Sequence, residues 1–493
     1  MTNEIIVDVS MGQTRVALLE NKELVELYIE SPDHQEMVGN IYRGKVVSVL
    51  PGMQAAFVDI GYEKNAFLYI KDIIIQDERK DRLTDSTAIT DLVGIGQDIT
   101  VQVIKEPIGT KGPRVTTNLT LPGRYVVFLP YCDYVGVSKR IGDETERQRL
   151  KEVAQSIKPK EAGLIIRTQG EGKEAEDFIC ELNFLMKLWQ NLQVKGAFIS
   201  PVPGVIHRDF DLLFRTVRDL FTWNIHRFVI SDAQRYTKVL ELLDMLSPAL
   251  KERVEYFSKD YDIFEYYQIE NKISKILEKK IWLKCGGYIV IDRTEALTAI
   301  DVNTGKYVGE SDLEDTVLKT NLEAAKEVAK QLRLRDIGGI IIIDFIDMHV
   351  QKHREQVIDT LKHYLKKDKT KTMVAGTTYL GLVEMTRKKV RERLTSLLKI
   401  ECPCCHGVGE ILAPETVVRL AEKDIYKVFN QSVAAAIEVK LHPRVARLLA
   451  GADGANIKRL EDVFHKKIVV KYCEHFNLDQ IVIKAIEPKE CKA

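Results

Sequence analysis

Two apolar runs in this chain each end on a carboxylate. The first is ALTAIDVNTG (residues 296–305) and the second is GGIIIIDFIDM (residues 338–348). Both are rich in β-branched residues and read as strands. The stretch between them, NLEAAKEVAKQLRLRD, reads as a helix that Gly338 and Gly339 are expected to stop. A segment of this kind must fold strand, helix, strand, and it delivers Asp301 and Asp344 where the strands stop. Residues two apart share a face of a strand, so Asp301 and Asn303 point the same way. Two such aspartates with an amide beside one of them can form a hard oxygen site. Mg²⁺ suits it, because that ion takes one or two carboxylates and keeps waters for a phosphate substrate. Strand-end aspartates are also ordinary turn residues, and the rest of the chain decides between the two readings.

With 493 residues the chain has room for about three or four domains. Hydrophobic residues make up 45% and charged residues 29%, which gives ample core for a soluble globular protein. Lysine plus arginine (72) equals aspartate plus glutamate (72), which excludes a histone-like polycation but leaves room for a local basic groove. No apolar run approaches the ~18 residues of a membrane span. The start, MTNEIIVDVSMG, lacks the pattern of a secretory signal. No membrane association and a cytoplasmic location are therefore expected. Most of the eight cysteines are scattered, which is not a disulfide framework and fits a reducing compartment.

The beginning of the chain alternates as short strands, EIIVDVS and TRVALLE, turning at Met11 and Gly12. Residues 39–73 are short strands broken at Pro51, Gly52 and Gly61. A polar stretch (76–91) follows, then ITVQVIKEP and GPRVTTNLT. That rhythm is a small β-barrel with one long loop. Residues 120–212 mix strands and helices, 213–285 read as helices with one strand (RFVISD), and 410–493 form a separate α+β unit. In the barrel, Phe57 and Phe67 flank a turn that carries Lys64, with Arg43, Lys45 and Lys71 nearby. Exposed aromatics on such a barrel stack on bases while lysines follow phosphates; buried, the same rings would be core. GNIYRGKV (39–46) has the glycine and lysine spacing of a phosphate loop. Val46, however, occupies the Ser/Thr position, and a strand follows instead of a helix.

CPCCHG (402–407) places Cys402 and Cys405 at the C-x-x-C spacing of half a structural zinc site. Cys404 and His406 lie too near to complete a tetrahedron, and Cys473 and Cys491 make a poor second pair. A site shared by two chains solves the ligand count; a chance cluster of reduced cysteines is the other reading.

The segment GxVxxVLPGMQAAFVDIG followed by NAFLYI resembles an S1 RNA-binding domain. Together with AIDVNTG, NLEAAKEVAKQLRLRDIGGIIIIDFIDM and C-P-x-C, it makes the chain similar to the ribonuclease E/G family, in order from about residue 1 to residue 410 and nearest its short ribonuclease G type. The resemblance implies an α/β and α+β multidomain fold. An RNase H-like domain (1–37 and 213–276) would be split by an S1 (OB) barrel (38–118) and a 5′-phosphate sensor (119–212). A DNase I-like catalytic domain (277–398), a zinc link (399–413) and a small KH-like domain (414–493) would follow. It implies an endoribonuclease that cleaves single-stranded RNA in rRNA and tRNA processing and mRNA decay, favours 5′-monophosphorylated substrates, and leaves 5′-phosphate and 3′-hydroxyl ends. Asp301 and Asp344 would bind catalytic Mg²⁺, with Asn303 holding Asp301. Phe57, Phe67, Lys105 and Lys111 would grip RNA. Arg167 and Thr168 would clamp the 5′ phosphate in a pocket lined by Val127. Cys402 and Cys405 would share a structural Zn²⁺ with a second chain, in a homodimer or tetramer.

Two points stay open at this level. The Gly451-x-x-Gly454 turn looks KH-like, but Ala452 and Asp453 stand where basic residues usually sit, and Asp453 would repel phosphate. The lysine- and arginine-rich stretches 362–371 and 387–393 are either RNA-facing or solvated helix surface. The alternative function is a non-catalytic RNA-binding protein built on the S1 and KH-like modules.

Overall fold

Period-two alternation is clearest in the sheet that carries both aspartates. The computed structural model describes residues 2–32, 36–73, 88–107, 111–199, 201–305, 313–389, 391, 393–405, 407–432 and 434–486. His406, Cys491 and most of the polar stretch 76–91 lie outside them. The chain divides into two compact units, Met1–Leu398 and Lys399–Ala493.

The aspartate sheet has six strands in the order Lys280–Trp282, Tyr288–Arg293, Leu297–Asn303, Gly339–Asp344, Val383–Arg387, Thr372–Thr377. Ile289, Ile291, Ile300, Val302, Ile341, Ile343, Val383 and Met385 point to one face and are buried. Each such aliphatic side chain contributes roughly 2 kcal/mol by leaving water. The helix Leu313–Leu334 covers that face with Ala324, Ala325, Val328, Ala329 and Leu332, at helical spacing. The helix Gln351–Leu365 adds Val357, Leu361 and Leu365.

The expected stop at Gly338 and Gly339 is corrected: the long helix ends at Leu334. Asp336 takes the left-handed conformation (φ 49°), and the amide of Ile337 donates to the Leu332 carbonyl at 3.1 Å while that of Asp336 reaches Arg333 at 3.3 Å. This is a Schellman end with aspartate in the glycine position. Aspartate tolerates that conformation, and its carboxylate accepts hydrogen bonds from Arg387 (2.6 Å) and Arg391 (2.9 Å).

A second sheet joins Asn3–Ser10, Gln13–Glu20 and Glu23–Glu30 to Arg227–Ile230 and Val254–Tyr256, with residues more than two hundred positions apart side by side. Both its faces are buried: Ile5 and Val7 on one, Ile6 and Ala17 on the other. The strands Val254–Tyr256 and Lys280–Trp282 were not anticipated in a region that reads as helices with one strand. Each has only three residues, too few for a periodicity signal.

The barrel closes in the order Ile41–Leu50, Ala55–Asp59, Ala66–Tyr69, Arg114–Thr116, Asp98–Lys105 and back to Ile41–Leu50. Gly204–His207 extends it outside Ile41–Leu50. A fourth sheet (Val135–Val137, Gly163–Ile166, Val126–Leu129, Leu121–Pro122) packs on the helices Glu144–Ile157 and Ala175–Ala197.

In the second unit, the sheet Lys467–Tyr472, Ala436–Leu441, Ile481–Ile486 packs on the helices Pro414–Gln431, Pro443–Ala450 and Ala455–Phe464. The Gly451–Gly454 turn joins the helices Pro443–Ala450 and Ala455–Phe464, with Gly451, Asp453 and Gly454 all at positive φ.

Candidate active site and RNA-binding surfaces

Asp301 and Asp344 are register partners on adjacent parallel strands. Neighbouring strands lie about 4.8 Å apart, so the two carboxylates stand side by side. Both are exposed, on the face that no helix covers among the described residues. The Asn303 Nδ2 donates to Asp301 Oδ2 at 2.6 Å, as expected from their shared face. Partial burial, then the negative charges of Asp301 and Asp347, push the Asp344 carboxyl above the usual carboxylate range. The pair therefore calls for a positive charge. Among the described residues no group of three or more His, Cys, Asp or Glu side chains comes together for a metal. What the site offers a cation is the two carboxylates.

Two residues that the sequence did not single out hold this site in shape. Asn321, fully buried on the long helix, donates to the Ile346 carbonyl (2.8 Å) and accepts from its amide (3.1 Å), fixing the segment that leaves Asp344. Asn321 stands three, four and seven residues before Ala324, Ala325 and Val328, on the apolar stripe of the helix, and that spacing is the signal that could have found it, because a buried amide needs partners. Gly287 lets the neighbouring hairpin approach: a Cβ there would lie 2.7 Å from the Asn303 carbonyl oxygen and 2.9 Å from Thr320 Cγ2.

On the barrel, Phe57 and Phe67 pair directly across strands, with ring centroids 5.9 Å apart and planes at 68°. Neither belongs to the barrel core, which takes their neighbours Ala56, Val58, Ala66 and Leu68. The rings are half-buried on the outer surface. The cross-strand row continues from Phe67 to Arg114 and from Arg114 to Lys105, so one face carries two rings and two cations in line. Arg114 is tied to Asp72 at 2.6 Å, while Lys105 is exposed. Lys111 is also exposed; Gly112 beside it packs so tightly that a Cβ would fall 2.0 Å from the Asn65 carbonyl oxygen.

Arg167 follows the strand Gly163–Ile166 and is half-buried. Its guanidinium donates to the Gly123 carbonyl and pairs with Asp219 at 2.6 Å. Burial opposes ionisation of Asp219, but the guanidiniums of Arg218 and Arg167 prevail and hold its carboxyl below the usual range. The Thr168 hydroxyl is 2.9 Å from that of Ser138. Val127 is half-buried on the next strand, opposite Ile165. Glu181 positions this region from beneath. It is buried, and its carboxylate accepts the amides of Arg124 (2.5 Å), Tyr125 (2.7 Å) and Val126 (2.9 Å).

Asp219 also lines a cavity of about 430 Å³ with Arg140, Arg215, Lys369, Lys371 and Arg391. The basic stretches thus divide. Arg387 is buried against Asp368 and Asp336, Lys369, Lys371, Lys388 and Arg391 line the cavity, and Lys362, Lys366 and Lys367 are exposed.

In the second unit, Cys402 is exposed and Cys405 half-buried, both as free thiols. Hydrogen bonds from the backbone amides of Cys405 and Cys404, and contact with the Cys405 thiol, lower the Cys402 thiol below its ordinary range. Two amides aimed at one sulfur favour thiolate, the form that binds metal. No helix is long and apolar enough to cross a membrane among the described residues.

Comparison with known proteins gives a consistent result. The ribonuclease E/G family pattern matches residues 120–390. The chain is 41% identical over 486 residues to ribonuclease G of Salmonella typhimurium (strain SL1344), covering 97% of this chain and 99% of that protein. It is 40% identical over 485 residues to ribonuclease G of Escherichia coli (strain K12), with the same coverage. Ribonuclease E of Nostoc sp. is 40% identical over 410 residues, 82% of this chain but 59% of that longer protein.

Proposed function

This chain belongs to the ribonuclease E/G family and is an endoribonuclease of RNA processing, and on that footing we propose that it cuts single-stranded RNA at the Asp301–Asp344 pair. The observation that carries this reading is the parallel register that sets the two carboxylates opposite each other. Their mutual repulsion, with Asp347 nearby, fits a divalent cation, and Mg²⁺ accepts such a sparse oxygen set. Bound there, Mg²⁺ would neutralise charge on the scissile phosphate and make a water nucleophilic. Asn303 holds Asp301 in one orientation, and Asn321 holds the chain beyond Asp344. The products would carry 5′-phosphate and 3′-hydroxyl ends.

Phe57 and Phe67 would stack on bases, with Lys105 and Lys111 on the phosphates. Arg167 and Thr168, beside Val127, would receive a 5′ monophosphate, to which a guanidinium can donate two parallel bonds. Asp219 presets the Arg167 guanidinium, so a phosphate would bind a side chain already in place. Cys402 and Cys405 would give two thiolates to a Zn²⁺ shared with a second chain, in a dimer or tetramer. The sheets described above would correspond to the family's RNase H-like, S1, sensor and DNase I-like domains, followed by the zinc link and the KH-like unit, in a cytoplasmic enzyme. A purely RNA-binding role is disfavoured, because paired carboxylates repel RNA unless a cation lies between them.

The test is incubation with a 5′-monophosphorylated, A/U-rich single-stranded oligonucleotide in Mg²⁺ and then in EDTA. Cleavage should require the metal and vanish in Asp301→Asn. Arg167→Ala should remove the advantage of 5′-monophosphate over 5′-hydroxyl RNA and leave slow cutting of the latter. Cleavage that persists in EDTA would overturn the metal reading, and equal loss on both substrates would overturn the sensor reading.

A further inference from the structure

The face of the aspartate sheet that, among the described residues, no helix covers carries more than the carboxylates. Trp282 pairs directly with Tyr288, and Tyr288 pairs directly with Asn303. One step along, Lys280 pairs with Val290, Val290 with Asp301, and Asp301 with Asp344. Direct partners share a sheet face and so do residues two apart. All of these side chains therefore project from one surface. Their neighbours Ile289, Ile291, Ile300 and Val302 go to the buried face.

Two strand spacings, roughly 10 Å, separate the Trp282 backbone from that of Asn303. Trp282 is 55% exposed although it is the largest apolar side chain type. Its ring meets Tyr288 edge-on at 5.3 Å. The Lys280 ammonium sits over both rings, 4.3 Å from the Trp282 centroid and 3.6 Å from that of Tyr288. Among the described residues no carboxylate pairs with Lys280, although the adjacent Lys279 pairs with Asp292. An aromatic platform with a free cation, placed beside a phosphodiester-cleaving pair, has the two chemistries that single-stranded RNA requires: a surface for a base and a charge for a phosphate.

We propose that Trp282, Tyr288 and Lys280 form a nucleotide subsite that stacks a base flanking the scissile phosphate and steadies the adjoining backbone phosphate. The inference rests on the ribonuclease reading. It assigns these residues to substrate positioning, separate from the barrel rings Phe57 and Phe67. The occupant is a nucleotide of the substrate strand. Repulsion from Asp301 and Asp344 keeps other phosphates away unless a cation is present, while Lys280 attracts one on its side.

The test uses the full chain and a 5′-monophosphorylated A/U oligonucleotide, with a series in which each nucleotide within three of the cut is replaced by an abasic ribose. Trp282→Ala should lower kcat/KM roughly tenfold, and Trp282→Phe should recover most of it. One abasic position should cost the wild type a similar factor and cost Trp282→Ala nothing further. Lys280→Gln should weaken the salt dependence of cleavage. If Trp282→Ala cuts like wild type, or if every abasic penalty is the same in both proteins, the subsite is wrong while the ribonuclease reading stands. If the wild type cuts no oligonucleotide, that reading fails and takes the subsite with it. If Trp282→Ala instead changes the oligomeric state by light scattering, a second copy covers this face and the subsite is overturned.

Discussion

Replacing Asp344 with Asn separates the charge of the site from its shape. The two carboxylates are register partners on strands about 4.8 Å apart, so their charges lie roughly 5 Å from each other. On an exposed surface with an effective dielectric constant of about 60, that repulsion is worth about 1 kcal/mol. Asn keeps the size and a hydrogen-bonding oxygen but removes the charge. In EDTA the variant should therefore be more stable than wild type by about 1 kcal/mol, or ~0.3 M in urea midpoint at a slope of about 3 kcal/mol/M. In ~1 M salt the difference should shrink, because the Debye length falls to about 3 Å. Mg²⁺ at ~10 mM should raise the wild-type midpoint and leave the variant nearly unmoved. Cleavage should fall by at least ~100-fold, as for loss of one preorganised electrostatic group, while RNA binding is retained. Urea unfolding with and without EDTA, beside a gel cleavage assay, reads all of this. A variant less stable than wild type in EDTA would refute the argument, since Asp344 would then be held by structural bonds and not strained by its neighbour.

Phe57→Ala or Phe67→Ala should weaken single-stranded RNA binding by roughly 1–3 kcal/mol and leave the melting temperature near wild type; anisotropy titration and thermal melts check it, and a large drop in melting temperature would place the rings in the core. Cys402→Ser should release the metal and yield monomers, because zinc-site binding energy is then assembly energy; one zinc per chain by metal analysis, or an unchanged dimer, defeats the shared site. Asp219 is depressed in the folded chain by Arg218 and Arg167 against the opposing effect of burial, so its contribution is present above the unfolded aspartate value near 4 and is lost as pH falls through the folded value. Asp219→Asn should flatten that acid loss, measured as urea midpoints from pH 7 to pH 3, and an identical acid slope in both proteins would show that the pair does not stabilise the fold.

Several features were legible because they are local. Asp301 and Asn303 sit two apart on one strand, and alternation alone aims both the same way; the 2.6 Å hydrogen bond follows. The barrel strands were readable from their turns. The lowered Cys402 thiol is also a local effect, since the amides that lower it come from residues two and three positions on. The end of the long helix was misplaced because two glycines looked like the stop. An aspartate in left-handed geometry does that work, and it is stabilised there by Arg387 and Arg391, more than fifty residues away.

By itself the sequence determined the longer strands, which of their side chains alternate in or out, and the family to which the chain is similar; the three-residue strands Val254–Tyr256 and Lys280–Trp282 it did not. What it determined depends on backbone periodicity and on motifs within a few residues. Only the tertiary structure decided that Asp301 faces Asp344, that Phe57 and Phe67 lie outside the barrel core, that Arg167 is held by Asp219, and that Trp282 shares a surface with the carboxylates. Each of these depends on strand register or on a partner far along the chain. A one-residue slip in register would send every side chain to the opposite face; a short turn fixes it for the hairpin that holds Trp282 and Tyr288, but no short turn links the parallel strands of Asp301 and Asp344.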